Sequence, residues 1–280
     1  MKRFLIPVLI LVLMALFGAR LLHRRTTASS NNSQLENVVI NNGARVPVLV
    51  ELFTSEGCSS CPPADKVLTS LMEKQPIAGA QIITLSEHVD YWNRLGWTDP
   101  YSAADFSKRQ YDYADVFGGD SVYTPEMVVD GRSQFVGSDA DAANEAIEKA
   151  IKAQKALVEI TRFQTATGAQ PQDISLQVHV GNLSVVKSRN AEILLAVTEN
   201  KLSSNVTDGE NAGQRLLHSS VVRSITPLGN VSDTDGQDFN ATTLVRLSDK
   251  WKPENLNIVV FLQDKTNRQI LGAGIIALNK

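Results

Sequence analysis

Positive charge is not in surplus in this chain. Against 30 Asp and Glu stand 27 Lys and Arg, a formal net charge of −3 over 280 residues. No basic stripe is interleaved with aromatics. The electrostatic footprint of a nucleic-acid binder is missing, and nucleic acid is set aside as a partner. Cysteine is scarcer still: Cys58 and Cys61 are the whole supply. Two thiols fall short of a four-ligand zinc site on their own. Pro62 stands where a Cys-x-x-Cys-His haem attachment needs histidine, so a c-type haem is excluded. No internal repeat is present, and the composition is otherwise that of an ordinary globular protein.

The N-terminus is the exception. Met1-Lys2-Arg3 precedes an apolar run from Phe4 to Ala19, broken by Pro7 and Gly18 and followed by Arg20, His23, Arg24 and Arg25. A charged start before an apolar stretch is an export signal. Residues 1–25 read either as a removed signal peptide or as an uncleaved N-terminal anchor that would tie the protein to a membrane. Phe17 spoils the small-x-small cleavage pattern, and the run is short for a span of about 20 residues. Either reading places the body outside the cytoplasm, periplasmic or secreted, where disulfides persist. Residues 26–44 are rich in Ser and Asn and read as a polar linker.

Residues 45–156 alternate between strand and helix signals. Val46–Phe53 is a short Val- and Leu-rich run that suits a buried strand. After the cysteines, Ala64–Glu73 spaces apolar residues at three and four, and Pro76 ends that helix. Ile82–Ser86 is a second buried strand, and Ala103–Ala114 is the best helix candidate in a polar and aromatic stretch. Asp130-Gly131 between Met127–Val129 and Gln134–Val136 signals a hairpin. Ala140–Ala156 has the alanine, charge and Ile147/Ile151 spacing of a helix. From residue 157 to 280 the texture changes. Strand-like runs recur at 158–163, 174–180, 193–198, 216–225, 242–247, 258–263 and 270–278 with turn residues between them. The expected architecture is a thioredoxin-like α/β domain followed by an all-β, sandwich-like domain, with the boundary near Lys155.

A lone Cys-x-x-Cys at the start of a helix is suited to thiol–disulfide exchange. The thiolate is the attacking species, and a helix N-terminus favours the anion and lowers the thiol pKa. Cys58 is the expected exposed attacker and Cys61 the resolving thiol. Ser59 or Ser60 can cap the helix, and Pro62 or Pro63 suits its first position. Glu56 works in the opposite sense, because a nearby carboxylate raises a thiol pKa. Thr124-Pro125 is the second signal: a cis X-Pro facing the cysteines leaves the preceding backbone free to pair with an extended client, whereas a trans proline would start an edge strand. His88 and Trp92 lie in the aromatic stretch Ser86–Trp97 and either line the same groove or pack as core. His179 and His218 read as surface or strand residues. The expected partner is a protein or small-thiol redox partner, with no cofactor and no metal.

Two other readings stand beside this one. Cys58, Cys61 and His88 together have the thiolate and imidazole donors that suit copper. A non-catalytic envelope module would use its β-rich half for binding. A pair kept only for stability would gain little from so short a loop.

Taken together, "VELFTSEGCSSCPPAD", "EHVDYWNRLGWTDPYS", "FSKRQYDYA" and "VYTPEMVVDGR" resemble the bacterial secreted-protein family catalogued as domain of unknown function 1223. The resemblance is strong over Val46–Lys155 and weaker beyond. It implies membership of the thioredoxin-like superfamily, an exported location and a cysteine pair at the site; it implies no substrate. Gly57 in place of thioredoxin's usual tryptophan, the Ser-Ser spacer and Pro62 directly after the second cysteine depart from thioredoxin itself. These departures leave the direction of electron flow open.

Overall fold

The computed structural model describes residues 45–163, 173–186, 188–234 and 237–279. The expected signal or anchor at 1–25 and the linker at 26–44 lie outside the described residues. The described residues open with β1 (Val46–Thr54), α1 (Cys61–Lys74), β2 (Ala80–His88), α2 (Ala104–Phe117), β3 (Glu126–Val129), β4 (Ser133–Val136) and α3 (Ala140–Ala150). Strands follow: β5 (Leu157–Phe163), β6 (Asp173–Gly181), β7 (Ala191–Glu199), β8 (Leu202–Asn205), β9 (Arg215–His218), β10 (Val221–Asn230), β11 (Phe239–Arg246), β12 (Leu256–Asp264) and β13 (Ile270–Ala277). Among the described residues no helix is long and apolar enough to cross a membrane.

One eight-stranded sheet runs β13-β12-β7-β10-β2-β1-β3-β4. β1 and β2 are parallel, joined through α1, while β3 and β4 return antiparallel. The large sheet therefore takes strands from both sides of the boundary expected near Lys155. β10, from the C-terminal half, joins β2 in parallel through Val221 and Ser86. A three-stranded antiparallel sheet, β11-β6-β5, forms a second layer, and β8 pairs with β9 alone.

Period-2 alternation assigns each face of the large sheet. On β1, Val48, Val50 and Leu52 face α1 and α3 and pack with Ala64, Leu68, Ala143 and Ile147. Leu49 points the other way, into a cluster with Ile83, Leu85, Phe106 of α2, Leu194 and Phe261. The three-stranded layer packs Val158, Leu176 and Val178 on Ile193, Val197, Ile258 and Val260. Close approach there depends on glycine. A Cβ on Gly272 or Gly274 of β13 would stand 2.7 Å from the carbonyl oxygen of Ala156 or Val158, closer than a side chain tolerates.

Local boundaries differ from the sequence reading in three places. The helix expected over 140–156 ends at Ala150, because the chain must turn to bring Ala156 under Leu271, to which it donates a backbone hydrogen bond of 2.8 Å. The run 216–225 is two strands, broken at Ser220, whose φ is 55° and whose N–H is taken by Asn200 Oδ1 at 2.8 Å. β8, short and half exposed, carries no apolar run to announce it.

Buried charge ties the two halves together. Lys155 Nζ meets Asp130 Oδ2 at 2.5 Å and donates to the Ile270 carbonyl at 2.8 Å. Arg109 of α2 donates from Nε to Glu51 Oε1 (2.7 Å) and from Nη1 to Gln263 Oε1 of β12 (2.9 Å). Tyr113 donates to the second Glu51 oxygen at 2.5 Å. Glu87 lies beside this group, its nearest oxygen 3.5 Å from Arg109 Nε. Burial, with Glu51 adding to it against the pull of Arg109, keeps its carboxyl well above the usual range. Removing one member of a buried pair strands the other. Arg109→Met is expected to lower unfolding free energy by about 3–5 kcal/mol, read from urea denaturation; a loss below about 1 kcal/mol would contradict this account.

Glu126, next to Pro125, accepts a 2.6 Å bond from Gln110 Nε2 of α2. Burial raises its carboxyl to about 7, against the Gln110 bond and helped by Glu51. The folded state thus keeps a proton that the unfolded state releases near 4.5. This contribution to stability is complete below the unfolded value and disappears as pH rises through about 7. Between about pH 5 and pH 8 the wild type should lose up to about 3 kcal/mol more than Glu126→Gln. Parallel stability–pH curves for the two proteins would refute the assignment.

Candidate functional site

β1 ends at Thr54, and the chain turns through Ser55-Glu56-Gly57 into the cysteine loop. The Cys58 N–H bonds to Ser55 O and the Cys61 N–H to Cys58 O, both at 3.2 Å, so the loop is already a tight turn before the helix begins. Cys58 and Cys61 form a disulfide with Cα atoms 5.4 Å apart, a normal separation for the bond. α1 starts at Cys61, so Pro62 is its second residue, where a missing N–H costs nothing. Ser60 occupies the cap position but makes no capping side-chain bond. Its hydroxyl lies 3.3 Å from Cys58 Sγ. The first turn of α1 has no acidic residue, so no side chain of that turn offsets the positive helix end beside the sulfurs.

Contrary to the exposure expected of Cys58, it is as fully buried as Cys61, both 0% exposed. Against the cysteine loop lies the segment joining β8 to β9, residues 206–214. Asn211 Nδ2 donates to the carbonyls of Glu56 (2.8 Å) and Cys58 (3.0 Å). Glu210 Oε2 accepts from the Ser59 N–H (2.9 Å) and hydroxyl (2.7 Å). Gly57 lies against Trp92, where a Cβ would be 3.2 Å from the Trp92 Cβ. Trp92 Nε1 in turn donates to Thr124 Oγ1 at 2.8 Å. The Thr124–Pro125 bond is cis. Pro125 is buried, and its ring and Ala64 of α1 both lie beside Gly137. Trp92, Thr124 and Pro125 are therefore gathered on one side of the cysteine loop.

His88 is not part of an open groove. It is fully buried, with Nδ1 2.7 Å from Asp99 Oδ2. Burial works against its cationic form, yet Asp99, with Asp65 and Glu56, raises its pKa above the ordinary value. Asp99 is held low despite its own burial, by His88 and by the Glu56 and Tyr101 N–H groups. The His88 ring stands edge-on to His218, centroids 4.9 Å apart, and Tyr101 packs against both.

His218, read from sequence as a surface or strand residue, belongs to this buried group. Its Nε2 lies 2.9 Å from Glu56 Oε1, while Trp97 Nε1 donates to Glu56 Oε2 at 2.8 Å. Asp65, one helical turn beyond Cys61, is 3.9 Å from His218 Nδ1, and burial raises its pKa against the pull of both histidines. The missed signals were faint but physical. Asp65 stands at i+4 from Cys61 on a helix, and His218 is on the inward parity of β9, with Leu216. His179 does remain half exposed on β6, 3.0 Å from Asn240 Oδ1.

Cys58, Cys61 and His88 are not gathered as copper ligands here, since the two sulfurs are bonded to each other. Among the described residues no group of three or more His, Cys, Asp or Glu is placed to hold a metal ion.

Comparison with solved structures finds an Agrobacterium tumefaciens protein at 26% identity and TM-score 0.58, covering 84% of this chain and 96% of that one. HBP35 of Porphyromonas gingivalis, at 18% identity, aligns with TM-score 0.61 over 84% of this chain and 76% of its own; at that identity it shows a likeness of fold alone. No curated protein matches. The family described as "Protein of unknown function (DUF1223)" matches residues 49–263, and the chain belongs to that family.

Proposed function

We propose that the protein is an extracytoplasmic thiol–disulfide oxidoreductase whose first half is a thioredoxin-like unit. The observation that carries this reading is the Cys58–Cys61 disulfide at the N-terminus of α1, directly after the parallel strand β1. Thr124 and Pro125 stand beside it, linked through Trp92. A helix end without acidic residues favours the thiolate form of the nearby sulfur. In this reading Cys58 forms the mixed disulfide with the partner and Cys61 resolves it. Trp92, Thr124 and Pro125 form the wall against which the partner lies. The partner is a protein or small thiol, and the export signal read at residues 1–25 places the reaction where disulfides persist.

The test is the equilibrium reduction potential of the pair, measured on the full chain in mild detergent with glutathione and dithiothreitol buffers. An exchanger has a reversible potential above about −300 mV. Cys58→Ser should abolish exchange and leave the thermal unfolding profile cooperative. Undiminished turnover by Cys58→Ser, or a pair that resists reduction well below that potential, overturns the reading.

A further inference from the structure

The segment that covers the cysteines is built to hold on. Residues 206–214 close on themselves: the Gly213 N–H bonds to Val206 O at 2.8 Å and the Val206 N–H to Gln214 O at 2.9 Å. Val206 and Asn211 are buried. Gln214 Nε2 donates to Asn211 Oδ1 at 3.2 Å, which turns the Asn211 amide nitrogen toward the two carbonyls of the cysteine loop. Gly209, with φ +74°, lies against Trp97, where a Cβ would be 3.3 Å from the Trp97 Cβ. At its base the strap is held by the His218–Glu56 contact. The tip is held differently, by Asn211 on Glu56 O and Cys58 O and by the exposed Glu210 on Ser59. The base is buried among aromatic rings, whereas part of the tip is polar and wet. The tip is the part that can lift while the base stays in place.

Resting on the oxidoreductase reading, we infer that the strap 206–214 is the specificity element of the site, with Asn211 and Glu210 as the positioning residues that latch it over Cys58 and admit a redox partner only when it lifts. The chemistry requires such a step. A partner thiolate must reach Cys58 Sγ in line with the S–S bond. As its new S–S bond forms, the Cys58–Cys61 bond breaks and the electron pair passes to Cys61 Sγ, which takes up a proton. The partner's second thiol then gives up its proton, attacks its own sulfur in the mixed disulfide and releases Cys58 as thiolate; in the opposite direction Cys61 is the resolving thiolate. The partner leaves as a disulfide and the pair is reduced. With Cys58 wholly buried, the first attack has no approach while the strap is closed. A large dithiol needs a wider opening than a small one.

The strap also explains why the C-terminal half is part of the same sheet as the cysteine helix. β9 and β10 are separated by Ser219 and Ser220 alone, so the pairing of β10 with β2 carries the base of the strap to Glu56.

The experiment compares reduction rates of the oxidised full chain by dithiothreitol and by reduced thioredoxin. Asn211→Asp keeps the shape of the side chain and turns a donor into an acceptor facing two carbonyls. It is expected to speed reduction by dithiothreitol about tenfold, since two hydrogen bonds of ordinary net strength are lost. The gain with reduced thioredoxin should be larger than with dithiothreitol. Glu210→Lys, at an exposed position that leaves the core untouched, should act in the same direction by roughly threefold and serves if the first variant does not fold. Rates within twofold of wild type for the folded variants, with a wild type that exchanges readily, overturn the latch alone. An equal gain for the small and the large reductant overturns its role in partner choice. A pair that neither wild type nor variant allows to be reduced overturns the latch together with the oxidoreductase reading.

Discussion

Glu56 is the residue on which the arrangement depends. A carboxylate two positions before Cys58 is fully buried at the end of β1, where an unpaired charge would be costly. Every polar atom on it is accordingly engaged. Its N–H donates to Asp99 Oδ2 at 2.8 Å, its carbonyl accepts from Asn211, and its two carboxylate oxygens meet Trp97 Nε1 and His218 Nε2. Trp97 and Asp99 come from the stretch between β2 and α2, while His218 and Asn211 come from the β8–β9 hairpin. One buried side chain thus recruits two distant segments to the cysteine loop, and the loop has one conformation because all of those partners agree on it.

The same logic of buried polar groups joins the halves of the fold. Arg109 reaches Glu51 on β1 and Gln263 on β12, and Lys155 meets Asp130 of the β3–β4 turn and the Ile270 carbonyl of β13. Ion pairs of this kind contribute little net stability compared with apolar packing, but breaking them is costly. They therefore act as registration: another register of β12 or β13 would take Gln263 from Arg109 or the Ile270 carbonyl from Lys155 and leave a buried donor without its acceptor. With that register fixed, the strap arrives over Cys58.

What could be read from the sequence was local. The Cys-x-x-Cys spacing, the proline in the first turn, the apolar runs of β1 and β2 and the Asp-Gly hairpin each depend on neighbours a few residues apart, and local pattern reports them. Thr124-Pro125 was legible for the same reason, through the chemistry of one peptide bond. His218, Asn211 and Glu210 were not, because each acts on residues more than 150 positions away. Nothing near Asn211 in the chain tells that its amide will meet Cys58. The parallel seam between β2 and β10 is illegible likewise. A two-layered β-rich half could be expected from alternating runs, but not its continuation of the first sheet.

The electrostatics beneath the pair set how readily Cys58 becomes an anion. The α1 N-terminus favours the thiolate, with no first-turn acid to cancel it. Glu56 and Asp65 oppose it from below. Burial raises the Asp65 carboxyl above its ordinary value, against the pull of His218 and His88. Against its burial, His88 is raised by Asp99, which favours the cationic form in the same region. The two carboxyl oxygens of Glu56 are engaged by Trp97 and His218. His218 belongs to the base of the strap, and Asn211 at its tip holds the backbone carbonyl of Glu56 itself. Glu56 is thus held twice by the same strap, through its carbonyl at the tip and through its carboxylate at the base; in the proposed opening the first contact is released while the second keeps the carboxylate nearest Cys58 screened.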